Sequence, residues 1–85
     1  MPQPVEAMIS AGVHINRSLQ LVEGEAYRRI MAGEAPATLA EFVQQLLQWL
    51  EAAHPDAAPL TSMATENQIR DTWHRRHAMI RGEAS

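Results

Sequence analysis

An apolar seam in the first thirty residues constrains this chain most: Val5, Met8, Gly12, Ile15, Leu19, Val22 and Ala26 recur at alternating steps of three and four. That spacing holds side chains on one face of an α-helix. A second apolar row, Ile9 and Val13 followed by Tyr27 and Met31, runs beside the first, so the apolar arc covers about half the helical circumference. One neighbouring helix buries less than that. The first helix is therefore expected to face both its own core and a second protein surface, the competing arrangement being a helix sandwiched between the later ones. Asn16 and Glu23 fall inside the arc, seven residues apart. Buried polar groups on such a seam fix register and partner orientation; otherwise they mark an exposed end of the interface.

Pro4 suits a first helical turn, where its missing N–H has no partner to lose, and Glu6 lies near the positive end of the helix dipole. The polar face carries Glu6, Ser10, His14, Arg17, Ser18, Glu25, Arg28 and Arg29, with Glu25 and Arg29 spaced to pair, and Gly33 is placed as a C-terminal cap. Residues 4–32 read as one helix of about 43 Å, whereas a compact domain of this size is about 30 Å across. A continuous helix must protrude; a break at Gly12 or Gly24 is the alternative. Gly12 also sits within the apolar arc, where a missing side chain lets another backbone come close.

The second helix is the clearest. Thr38 with Glu41 three residues on forms a capping box, and residues 39–53 place Leu39, Phe42, Val43, Leu46, Leu47, Trp49, Leu50 and Ala53 on one face. Glu41, Gln44, Gln45, Gln48 and Glu51 occupy the other face, so the first set is the expected core. His54-Pro55-Asp56-Ala57-Ala58-Pro59 is a loop, because each proline disfavours helix at itself and at the residue before it. A third helix is expected over residues 62–81, its start lying among Thr61, Ser62 and Thr65 and its apolar stripe reduced to Ile69, Trp73 and Ile80, with Met79 at the margin.

At 85 residues the chain is one domain, and it buries only about 60–65% of its unfolded surface. It contains no cysteine, so neither disulfides nor a cysteine-based zinc site can add stability, and self-association is the remaining way to enlarge the core. The N-terminal sequence lacks the basic and apolar regions of a secretory signal, and no run approaches the ~18 apolar residues of a membrane span. A cytoplasmic location without membrane contact is the expectation. All basic side chains are arginine, a lysine-free, alanine-rich composition associated with GC-rich bacterial or phage genomes.

Arg70, His74, His77 and Arg81 recur at i, i+4, i+7 and i+11, a basic row that could meet phosphates or an acidic partner. Glu66 is spaced to pair with Arg70 and Asp71 with Arg75, which favours a solvated face. A helix-turn-helix needs a turn of three or four residues, and the two-proline connection here is longer. The formal net charge of -3 further disfavours nucleic acid. His74-x-x-His77 supplies only two ligands, short of a zinc site, and the chain lacks a phosphate loop, a nucleophile elbow and a spaced pair of inward carboxylates. Trp49 and Trp73 read as core or interface anchors.

The sequence thus predicts an all-α domain of three main helices, dimeric through its long first helix, with no enzymatic activity, metal or cofactor. Its expected role is regulation by protein binding, as an inhibitor, anti-activator or adaptor that occludes a surface of a larger target such as a transcription factor. The contact residues are Val5, Met8, Ile9, Gly12, Ile15, Asn16, Leu19, Val22 and Glu23. The alternatives are a small nucleic-acid-binding regulator that uses the basic row, and a structural assembly component.

Overall fold

The computed structural model describes the backbone of residues 4–82 and the side chains of residues 14–82. Four helices follow in order, α1 (Pro4–Met31), α2 (Leu39–Ala53), α3 (Ser62–His74) and α4 (Arg76–Ile80), and there is no strand among the described residues. α1 runs unbroken through Gly12 and Gly24. Its 28 residues make it about 42 Å long, and the molecule measures 52 × 26 × 19 Å. A helix of that length exceeds the width of a compact domain of this size, about 30 Å.

α1 stops where the sequence provides a stop. Gly33 adopts φ +74°, a conformation that a Cβ disfavours. With that turn in place, Gly33 N–H donates to the Ile30 carbonyl at 3.1 Å and Glu34 N–H to the Arg29 carbonyl at 2.8 Å, the paired bonds of a Schellman cap. α2 begins at Thr38, whose Oγ1 accepts from Glu41 N–H at 3.2 Å. The reciprocal Glu41 side-chain bond of a full capping box is absent among the described residues. α3 begins at Thr61, the first of the three candidate starts, whose Oγ1 accepts from Ala64 N–H at 3.0 Å. Thr65 lies inside the helix, fully buried, its hydroxyl donating to the Thr61 carbonyl.

The core forms where three helices meet. Val22, Ala26 and Ile30 of α1, Phe42, Val43, Leu46 and Leu50 of α2, and Ile69 and Trp73 of α3 are buried together. Phe42 and Trp73 rings pack at 5.4 Å between centroids, tilted by 43°, joining α2 to α3. Every core residue of α2 comes from its expected apolar face, whereas Ala53 at the end of that face is exposed. Leu21, Leu39, Leu47, Trp49 and Met79 pack around the margin.

The expected single helix over 62–81 divides. α3 ends at His74; Arg75 has φ -96° and ψ 7°, and its N–H bonds back to the Asp71 carbonyl before α4 makes one short turn against α1. The Arg76 guanidinium lies 3.8 Å from the Trp73 ring centroid and donates to the Trp73 carbonyl at 2.7 Å, bracing the break from outside. Ile80, expected on the buried stripe, is 52% exposed. The change of path at Arg75 removes it from the line of Ile69 and Trp73.

Candidate protein-binding surface

α1 is held in the body from Ser18 onward. Ser18, expected on the polar face, is fully buried, and its hydroxyl donates to the Ala58 carbonyl at 2.6 Å. A small hydroxyl at this position ties the proline-containing loop to the helix, and periodicity alone assigns a serine to the solvent. Glu25 is likewise largely covered. Its carboxylate accepts from Arg28 at 2.9 Å and from Arg29 at 2.7 Å, as the spacing of Glu25 and Arg29 implied. Hydrogen bonding by the Arg28 guanidinium is the largest influence on the Glu25 carboxyl and outweighs the opposing effect of burial, lowering its pKa from 4.5 to about 2.

Upstream of Ser18 the environment changes within one turn. His14, Ile15, Asn16 and Arg17 together cover the whole helical circumference, and all four are exposed. The body therefore ends at Ser18, and α1 continues beyond it. Ile15 is 44% exposed although it shares the helical face of Val22 and Ala26, which are fully buried. Leu19 is half-buried at the boundary.

The expected contact residues thus separate into groups. Val5, Met8, Ile9 and Gly12 belong to the backbone of α1, but their side chains lie outside the described residues. Ile15 and Asn16 are exposed, whereas Val22 is committed to the intrachain core. Glu23 accepts from the Gln68 side chain at 2.5 Å, so its polar group fixes α1 against α3 within the chain. Tyr27 and Met31, from the second apolar row, are 54% and 45% exposed on the outer side of α1.

The basic row does not lie along one helix. Arg70 and His74 are on α3, His77 is on α4 and Arg81 caps α4, with the break at Arg75 between them. Arg70 is held by Glu66 at 2.7 Å. The expected Asp71–Arg75 ion pair does not form among the described residues; the two are joined instead by the Arg75 N–H on the Asp71 carbonyl.

A cavity of about 430 Å³ lies elsewhere, between the end of α2 and the loop that follows, lined by Leu47, Leu50, Pro55 and Leu60, with Glu51 and His54 also on its wall. The Trp49 ring meets the His54 ring edge-on at 5.2 Å beside it. Among the described residues no three metal-ligating side chains converge, and no helix is long and apolar enough to cross a membrane. Neither protein-family models nor curated proteins nor solved structures match this chain.

Proposed function

We propose that this protein acts by binding another protein through the part of α1 that extends beyond the body, occluding or bridging a surface of a larger target such as a transcription factor. One observation carries the reading: the turn from His14 to Arg17 is exposed all round, and it presents Ile15 on the face that two turns later forms the core at Val22. A helix that leaves its own body with an apolar residue so placed is suited to lie in a groove, or along a helix, of a partner. The seam of Val5, Met8 and Gly12 continues the same row in sequence and lengthens the contact. No step of chemistry is needed for such a role.

The test is capture of partners from source-cell lysate on tagged wild-type protein and on Ile15→Asp, with nuclease treatment and a wash near 0.5 M salt. A protein retained stoichiometrically by the wild type and lost from a folded Ile15→Asp supports the reading. Retention by both sinks it. Loss of every partner on nuclease or salt transfers the function to the arginine side chains and nucleic acid, since phosphate contacts weaken steeply with ionic strength and an apolar contact does not. Sedimentation of the purified chain shows whether the partner is a second copy; a wild-type dimer that becomes monomeric in Ile15→Asp places homodimerisation on this surface.

A further inference from the structure

We propose a second docking site, separate from the α1 surface: the cavity between the end of α2 and the Pro55–Pro59 turn takes a large aliphatic side chain from a basic helical segment of a partner protein. The apolar part of the argument is the cavity. Its volume of about 430 Å³ is ample for one large aliphatic side chain, and Leu47, Leu50, Pro55 and Leu60 give it an aliphatic wall.

The charge part is independent of the volume. Between Arg29 and Arg70 the chain has five carboxylates, Glu34, Glu41, Glu51, Asp56 and Glu66, and no lysine or arginine. Glu34 and Glu66 are taken by Arg28 and Arg70. Glu51, on the cavity wall, and Asp56, in the turn that closes the cavity, have no ion-pair partner among the described residues.

The end of α2 adds to the same sign. A helix C-terminus carries partial negative charge and is ordinarily complemented by Lys, Arg or a cationic His in its last turn. The last turn of α2 has none, and Glu51 stands there instead. An aliphatic wall that carries the unpaired Glu51 carboxylate, with Asp56 in the adjoining turn and no basic side chain in the last turn of α2 before its His54 cap, is complementary to a leucine-like anchor flanked by ammonium or guanidinium groups. It repels an acidic segment of the same shape.

The probe is a fluorescein-labelled amphipathic helical peptide of leucine and lysine, titrated by anisotropy at low salt. Its leucine–glutamate and alanine–lysine counterparts are titrated alongside, and circular dichroism melts establish that each protein variant is folded. The leucine–lysine peptide is expected to bind, and both counterparts at least about tenfold more weakly. Glu51→Lys should weaken binding by about tenfold or more, whereas Glu41→Lys, the same change of charge about 15 Å along α2, should alter it less than about twofold. Ile15→Asp should bind as the wild type does, which separates this site from the α1 surface. The proposal is overturned by no binding, by equal binding of the alanine–lysine peptide, or by equal losses in the two glutamate variants. It is also overturned if Ile15→Asp abolishes binding, or if the unliganded protein self-assembles and Glu51→Lys disperses it, because a second copy's arginine side chains would then be the occupant.

Discussion

Ile15 and Val22 stand seven residues apart on one face of α1, yet Ile15 is 44% exposed and Val22 is fully buried. A seven-residue step rotates only about 20° around an α-helix, so the contrast arises from where the body ends and not from which way the side chains point. It predicts opposite consequences for the same substitution. Ile15→Asp should leave the melting temperature nearly unchanged, within about 0.5 kcal/mol. Val22→Asp should abolish the cooperative transition, because an uncompensated carboxylate in the core costs a large share of the about 5–15 kcal/mol that holds a domain together. Thermal denaturation followed at 222 nm distinguishes them; equal destabilisation would mean that the helix is covered upstream of Ser18.

Ser18 should matter more than a serine on a helix normally does. Its hydroxyl bonds the Ala58 carbonyl at 2.6 Å across forty residues of sequence, so Ser18→Ala removes the link between α1 and the loop and leaves that carbonyl short of a donor. Ala58 is only half-buried, and water can recover part of the loss. The expected cost is about 1 kcal/mol, a fall in melting temperature of about 4–8 °C, together with faster amide exchange over residues 55–60. An unchanged melting temperature would show that the bond contributes nothing net.

Ser18 also shows what the sequence could and could not display. Apolar periodicity placed α2 with its buried face, residue type located the caps at Gly33 and Thr38, and charge spacing identified the Glu25–Arg29 pair, because each depends on residues within one or two turns of one another. Ser18, Glu23 and Thr65 were beyond its reach: their positions are set by Ala58, Gln68 and the packed neighbours of α3, through contacts that a helical wheel does not contain. The break at Arg75 was hidden for a related reason. No proline or glycine marks it, and it is braced by the Arg76 guanidinium on Trp73, a pairing visible only once the chain has turned. For the candidate surface, the sequence conveyed that α1 has more apolar arc than one chain needs, and the structure located where the intrachain cover stops.

Glu25 gives a pH signature. Its folded-state pKa is depressed from 4.5 to about 2, so the ionised carboxylate stabilises the fold above the unfolded value and that contribution disappears as pH falls through the folded value. Wild type should therefore lose stability between about pH 4.5 and pH 2 relative to Glu25→Gln, in which the carboxylate is absent. The gap in melting temperature between the two proteins should be widest above pH 5 and narrow towards pH 2. The exposed Arg28 guanidinium makes part of the effect sensitive to salt, so the gap should shrink in 1 M NaCl. A gap that stays constant across this range would remove the ion pair as its cause.

The cap Thr61 and the buried Thr65 hold the start of α3 in different ways that a substitution series can read. Thr61 accepts Ala64 N–H at the start of α3 and also offers its carbonyl to the buried hydroxyl of Thr65, so the entry to α3 rests on a side-chain acceptor and a backbone acceptor of one residue. Thr61→Ala removes only the first and should cost about 1 kcal/mol, while Thr61→Asp keeps an acceptor in place, adds negative charge at the positive end of the helix, and should equal or exceed the wild type. Thr65→Val retains the shape of the buried side chain and leaves the Thr61 carbonyl to its bond from Thr65 N–H at 3.1 Å, so its cost should be less than that of Thr61→Ala. Urea unfolding of the three variants, compared at constant m-value, ranks them; Thr65→Val as the most damaging would show that the buried hydroxyl, and not the cap, holds the start of α3.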